Sequence, residues 1–185
     1  GSFDYVDVLE KDWFYEAVRL VTQKGAMKGI GNKKFGPRQQ MTRGMVVTLL
    51  YQMNGQPVVD AVATYPDVES GKYYSIPVAW ASKNKLIKGY SNGNFGPNDL
   101  VTREQLVAIL YRYADFMGYD VTAVGDLTPF GDKEKVSAYA MDAVKFAVGS
   151  RLMRGDNLGM LNPKGFATRA EVATFVMNFY KQLVK

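Results

Sequence analysis

The segment "FGPNDLVTREQL" (residues 95–106) joins a turn-like Phe-Gly-Pro to a Thr-Arg pair at a predicted helix start. The chain contains the same arrangement twice more, as "FGPRQQMTRGMV" (residues 35–46) and "LNPKGFATRAEV" (residues 161–172). Because self-similarity at a fixed period indicates a repeat architecture, the spacing of about sixty residues predicts three structural repeats.

Residues of four other kinds recur in the same register. They are Gly29, Gly89 and Gly155; Lys28, Lys88 and Arg154; Trp13, Tyr73 and Tyr139; and Asp7, Asp67 and Asp132, the last displaced by one residue. We expect repeats at residues 1–57, 64–120 and 126–185, which together form one domain. The segments "QPVVDAVAT" and "GYDVTAVGDLT" are interpreted as linkers because they contain turn-favouring residues and no helical periodicity.

Each repeat is predicted to fold as helix, loop, helix. In the first repeat Trp13, Ala17, Val18 and Val21 have the spacing of one apolar helix face. Pro77 is tolerated only in a first turn, so the corresponding helix of the second repeat should begin near Ser75. The three recurring glycines are interpreted as helix stops. Two such helices bury too little apolar surface alone, so we expect three hairpins that share one core.

The threonine of each Thr-Arg pair is explained by helix capping. Thr168 and Glu171 match the capping box, and Thr102 and Gln105 fit with glutamine, whereas the first repeat has Met45 at the partner position. Capping does not explain the arginine, because a cation in the first turn faces the positive end of the helix dipole. A residue set against local preference indicates a functional site.

Two interpretations of the arginine remain open at this stage. Helix-terminal amides and a bidentate guanidinium could together bind a carboxylate or phosphate. Alternatively, each arginine could form a salt bridge to the repeated aspartate of its repeat.

The composition restricts the possible functions. The net charge of +5 favours an anionic partner, but the basic residues are dispersed without interleaved aromatics, so nucleic acid is not expected. The absence of cysteine and histidine removes thiolate metal sites, a cysteine nucleophile and the usual general base. With no cofactor motif and no apolar run of bilayer length, we expect neither an enzyme nor a membrane-inserted segment, and no metal or cofactor.

The ordered motifs resemble the S-layer homology (SLH) family. The matching elements are Trp13, the loop "GYSNGNFGP" beginning at Gly89, Phe130-Gly-Asp132 and Thr168-Arg-Ala-Glu171. The resemblance implies an all-α fold of three helix-loop-helix repeats in a pseudo-threefold, three-lobed assembly around a shared helical core. It also implies non-covalent anchoring of a larger exported protein at the cell wall or S-layer of a bacterium. The implied ligand is a secondary cell-wall polysaccharide with a pyruvylated terminal amino sugar, bound in grooves between repeats.

The resemblance assigns the carboxylate of the pyruvate ketal to Arg43, Arg103 and Arg169. The second repeat has the most complete motif, which predicts that Arg103 matters most. The other recurring residues complete the candidate site. They are the aspartates; Lys28, Lys88 and Arg154, which could form a second contact with the carboxylate; and the glycines, for backbone geometry and close ligand approach. The aromatics could stack on a sugar, although helical spacing favours the core for part of each ring.

Two other functions remain open from the sequence. One is a structural module that assembles with other proteins, in which the arginines serve only internal salt bridges. The other is an outer-membrane version of the family that binds modified peptidoglycan.

Overall fold

The computed structural model describes residues 3–60 and 65–184, so part of the first linker (61–64) lies outside the described residues. The α-helices are α1 (Tyr15–Gln23), α2 (Arg43–Met53), α3 (Ser75–Lys83), α4 (Arg103–Phe116), α5 (Met141–Gly149) and α6 (Arg169–Leu183). Two short 3₁₀ helices, Lys133–Lys135 and Ala138–Ala140, precede α5. Among the described residues, strand-like pairing of the backbone is limited to isolated β-bridges in the segments between the helices. The all-α prediction is confirmed.

The principal helix pairs join different repeats. Helix α2 packs against α3, α4 against α5, and α1 against α6, so each second helix contacts the first helix of the following repeat. The expectation of a hairpin within each repeat is therefore wrong. The physical reason is that the backbone at the start of each second helix is hydrogen-bonded to the loop of the following repeat. Each second helix therefore begins beside the first helix of that repeat.

A ring of three backbone hydrogen bonds closes the repeats into a cycle. The Met41 amide donates to the Ala167 carbonyl (3.1 Å), the Ala167 amide to the Val101 carbonyl (3.0 Å), and the Val101 amide to the Met41 carbonyl (2.9 Å). All three residues are buried, so the ring pairs backbone groups that have no access to water. Each lies directly before a capping threonine, which places the three second helices around the ring.

One hydrophobic core draws on all three repeats, as the sequence predicts. The predicted apolar residues Ala17, Val18 and Val21 are buried in it. The loops contribute Phe35, Phe95 and Leu161, which are fully buried. The loops are thus part of the core, which fixes their backbone groups in position.

The helix starts agree with the sequence. Helix α3 begins at Ser75, and the second helices begin directly after Thr42, Thr102 and Thr168. Each threonine side chain accepts a hydrogen bond from the third amide of its helix. The capping box is complete in α4 and α6.

The helix stops are not at the recurring glycines. The left-handed residues that follow α1, α3 and α5 are Gly25, Lys85 and Arg151. A Cβ atom on Gly29 would lie 2.7 Å from the Tyr5 ring, and one on Gly89 or Gly155 would lie 2.8 Å from the ring of Tyr65 or Phe130. These three glycines are required because an aromatic ring packs directly on the backbone.

Among the described residues no helix is both long enough and apolar enough to cross a membrane.

Candidate binding grooves between repeats

The arginine of each repeat reaches into the loop of the next repeat. Arg43 donates from Nε to the Phe95 carbonyl (2.9 Å) and from Nη2 to the Lys88 carbonyl (3.2 Å). Its guanidinium carbon lies 4.8 Å from the ring centroid of Tyr90 and 4.5 Å from that of Phe95. Arg43 is only 5% exposed. The first repeat therefore supplies a fixed cation to the second.

The other two arginines follow the same cyclic rule. Arg169 of the third repeat donates from Nε to the Phe35 carbonyl (2.8 Å) and from Nη2 to the Lys28 carbonyl. Arg103 of the second repeat donates from Nε to the Leu161 carbonyl (3.0 Å). Each guanidinium thus belongs to the site of the following repeat.

Arg103 differs from its counterparts because it has a carboxylate partner. Its Nη1 lies 2.5 Å from Oε2 of Glu171 in the first turn of α6. The corresponding positions in the other repeats are Gln105 and Met45, which carry no charge. In the described part of the chain neither Arg43 nor Arg169 forms an ion pair. Arg103 lies outside the second repeat's groove, so the basis for ranking it first among the arginines is wrong.

Burial disfavours the charged form of Arg43 and of Arg169, the two arginines that form no ion pair with a described residue. Burial lowers the pKa of Arg43, an effect opposed by Tyr90, Tyr139 and Asp99 nearby. Burial likewise lowers the pKa of Arg169, opposed by Tyr5 and Asp7. A buried cation without a carboxylate partner destabilises the folded protein, so such a site favours the binding of an anion.

The helix amides are not available to that anion. The first two amides of α2 donate to the carbonyls of Asp99 and Pro97, and the third donates to the Thr42 hydroxyl. The first two amides of α4 and α6 are used in the same way by Gly165 and Pro163, and by Gln39 and Pro37. The prediction that helix-terminal amides join the arginine is wrong because the neighbouring loop already satisfies them.

The repeated aspartates hold the loops. Asp7 accepts hydrogen bonds from the amides of Phe35 (2.8 Å) and Gly36 (2.9 Å). Asp67 does the same for Phe95 and Gly96, and Asp132 for Leu161 and Asn162. Across residues 3–60 and 65–184 these aspartates form no ion pair with the three arginines, so the predicted salt bridges are not formed. The aspartates support the carbonyls that orient the arginines.

Two cavities have corresponding linings. Groove 2, of about 290 Å³, is lined by Arg43, Lys88 and Tyr90, by Gln105 and Arg112 of α4, and by Tyr139 of the third repeat. Groove 1, of about 200 Å³, is lined by Arg169, Lys28, Met45 and Gln52 of α2, and Tyr73 of the second repeat. Each groove thus combines residues from all three repeats.

The recurring aromatics are exposed, and the expectation that they belong partly to the core is wrong. Trp13, Tyr73 and Tyr139 are 68%, 55% and 58% exposed. They lie before the first helices, and the next residue in each case, Phe14, Tyr74 or Ala140, enters the core instead. The rings of Tyr73 and Tyr139 are therefore free to line the grooves.

The recurring cations lie beyond the last turns of the first helices. Lys28 and Lys88 are exposed in grooves 1 and 2, and Arg154 is exposed in the third loop. Their side chains make no hydrogen bond or ion pair with a described residue. Arg112 is not predicted from the sequence, because its counterparts Gln52 and Asn178 are uncharged and the arginine therefore does not recur.

Comparison with known proteins gives the family. The model of the S-layer homology domain matches residues 4–44, 64–107 and 129–173, one segment in each repeat. The chain belongs to the S-layer homology domain family. The predicted membership is confirmed, with three tandem SLH segments.

Individual relatives of this SLH chain are much longer proteins. The S-layer protein sap of Bacillus anthracis is 28% identical over 184 residues, which cover 96% of this chain and 21% of the relative. An endoglucanase of Bacillus sp. (strain KSM-635) is 25% identical over 176 residues, 95% of this chain and 18% of the relative. The surface-layer 125 kDa protein of Lysinibacillus sphaericus is 25% identical over 161 residues, 85% of this chain and 13% of the relative. With the S-layer relatives, the SLH repeats identify a cell-surface anchoring module of the cell wall or S-layer.

Proposed function

We propose that this SLH module is non-catalytic and anchors a larger exported protein by binding an acidic wall polysaccharide in grooves 1 and 2. The group recognised is the carboxylate of a pyruvate ketal on a terminal amino sugar. The observation that carries the proposal is Arg43, a nearly fully buried arginine that lines a 290 Å³ cavity and has no carboxylate partner among the described residues.

The position of Arg43 suits a carboxylate of fixed geometry. Nε and Nη2 are held by loop carbonyls and the guanidinium is stacked on two rings, so little side-chain entropy is lost on binding. Nη1 has no hydrogen-bond partner among the described residues and is free to donate to a carboxylate oxygen. Lys88 adds a second, exposed cation, and the exposed Tyr139 ring offers an apolar face to a sugar.

The corresponding place in the third repeat is not proposed as an equal site. There the Glu171 carboxylate already lies 2.5 Å from Arg103, where a ligand carboxylate would otherwise bind. Binding would have to displace this internal partner, which is supplied at high effective concentration by the chain itself. We therefore expect two principal sites for each module.

The proposal is tested by calorimetric titration with the pyruvate ketal of an N-acetylhexosamine. The control ligand is the same sugar without the ketal, which removes the carboxylate and should abolish binding. Equal binding of both sugars would contradict anion recognition. Binding only to modified peptidoglycan would favour the outer-membrane alternative, and binding to neither glycan would favour a protein-assembly role.

A further inference from the structure

Groove 2 contains a third cation that has no counterpart in the other repeats. Arg112 lies on α4 two turns after Gln105, and both side chains line the cavity with Arg43 and Lys88. No acidic residue belongs to this lining. At the corresponding position groove 1 has Gln52, and the third repeat has Asn178. Groove 2 is thus the more strongly cationic of the two cavities.

The contacts of Arg112 with the described residues do not indicate a structural role for its charge. It is half-buried, and in the described part of the chain it makes no hydrogen bond or ion pair. Burial lowers the pKa of Arg112; Tyr139 opposes this effect, and the Arg43 charge reinforces it. The nearby carboxylate of Asp99 is not part of the lining of groove 2, and it accepts a hydrogen bond from the Tyr90 hydroxyl (2.9 Å). Because like charges repel, two guanidinium groups that line one cavity without an acidic residue are more favourable with an anion bound than without one.

We propose that Arg112 is a second guanidinium contact for the acidic sugar in groove 2, and that it makes groove 2 the higher-affinity site of the module. The inference rests on the proposed function and adds a residue to it. An anion that enters the cavity relieves the repulsion between Arg43 and Arg112 and bonds to both, whereas groove 1 offers only Gln52 at this place. The two sites therefore differ in affinity for the same ligand.

The test uses Arg112→Gln, which gives groove 2 the residue of groove 1. In a two-site titration with the pyruvate ketal of an N-acetylhexosamine, we expect the tighter site to weaken at least tenfold, roughly to the affinity of groove 1. The melting temperature of the unliganded protein should stay the same or rise, because a repelling charge is removed. Arg112→Lys keeps the charge and should recover part of the lost affinity.

The matched variant is Gln52→Arg, which should tighten the weaker site. Unchanged affinities in Arg112→Gln would overturn the inference, as would a lower melting temperature without loss of affinity, which would assign Arg112 a structural role. Failure of the wild-type protein to bind the ketal sugar would overturn the proposed function and this inference with it. If the wild-type protein binds the ketal sugar and Arg112→Gln binds it equally well, the inference fails while the proposed function stands.

Discussion

At the scale of single residues, the arginine of each Thr-Arg pair serves both structure and site. Arg43 donates two hydrogen bonds to carbonyls of the second repeat and so connects neighbouring repeats. The same bonds leave Nη1 without a hydrogen-bond partner among the described residues, in a side chain that lines groove 2. Lysine could not reproduce this arrangement, because its ammonium group is a point charge without a planar fork.

Arg43→Lys should therefore reduce both stability and affinity. We expect the free energy of unfolding to fall by about 2–4 kcal/mol, since two hydrogen bonds from a charged donor are lost. Affinity for the ketal sugar should fall at least tenfold. Denaturant unfolding and calorimetry measure the two effects, and Arg19→Lys, at an exposed position of α1 outside both grooves, serves as the control. A stable variant with normal affinity would contradict this dual role.

Glu104 is a buried acid that lies outside the binding grooves. It is 1% exposed and accepts hydrogen bonds from the Ser137 amide (2.9 Å), the Ser137 hydroxyl (2.8 Å) and the Lys164 ammonium (2.5 Å). The corresponding positions are Gly44 and Ala170. This carboxylate thus connects α4 to the third repeat.

Glu104→Ala should lower the free energy of unfolding by about 2–4 kcal/mol, because hydrogen bonds to a buried charge are lost. Glu134→Ala, at an exposed position, should change it by less than about 0.5 kcal/mol. Chemical denaturation of both variants measures the difference. Similar stabilities for the two variants would show that the buried carboxylate contributes no net stability.

At the scale of helices and loops, the residue three positions into each second helix determines the state of the adjacent arginine. Glu171 caps α6 and also pairs with Arg103, whereas Gln105 caps α4 and leaves Arg43 without a carboxylate. Exchanging these two residues should therefore give Arg43 a carboxylate partner and remove the partner of Arg103.

Glu171→Gln should release Arg103 and create a third, weaker binding site while the capping box is kept. The reverse change, Gln105→Glu, should place a carboxylate beside Arg43 and weaken groove 2 by at least tenfold. Titration with the ketal sugar gives the number of sites and their affinities. An unchanged number of sites in Glu171→Gln, with Gln105→Glu binding normally, would contradict the role of this position.

The helix starts could be predicted from the sequence because their signals are local. Thr102 and Gln105 lie within one turn, and Pro77 restricts the start of α3 to the residues beside it. The destinations of the arginines could not be predicted, because Arg43 bonds to a residue 52 positions away and Arg169 to one 134 positions away. Arg112 could not be predicted either, because it has no counterpart in the other repeats.

At the scale of the whole molecule, the shared core makes stability depend on alkaline pH. Burial raises the pKa of Tyr113 to about 12, from an ordinary value of 10.0, and the ring packs 5.6 Å from that of Phe179. A raised pKa means that the protonated form is favoured in the folded state. Its contribution is fully present below pH 10 and is lost as the pH rises towards 12.

We expect Tyr113→Phe to reduce the loss of stability between pH 10 and 12. The difference from the wild type should reach about 2–3 kcal/mol, since each pKa unit corresponds to about 1.4 kcal/mol. Tyr139→Phe is the control: although burial also raises the pKa of Tyr139, this residue is 58% exposed, and solvent should reduce the effect. Thermal melts across this pH range test the prediction, and identical slopes for wild type and Tyr113→Phe would contradict it.

The cyclic arrangement predicts that the repeats do not fold independently. Removal of residues 126–185 deprives α1 of α6 and α4 of α5, and it opens the ring of backbone hydrogen bonds at Ala167. The two remaining repeats would then expose the apolar faces that these helices cover. The surface that two repeats bury between themselves is too small to offset the entropy lost on folding. The fragment 1–125 should therefore lack the cooperative melt of the intact chain.

Addition of the separate fragment 126–185 should restore cooperative unfolding, because it supplies α5, α6 and the missing member of the ring. Circular dichroism of each fragment alone, of the mixture and of the intact chain makes the comparison. The mixture should also recover binding of the ketal sugar, since groove 2 needs Tyr139 and groove 1 needs Arg169. A cooperative, native-like transition of fragment 1–125 alone would show that the repeats are autonomous and that closure of the cycle is not required for folding.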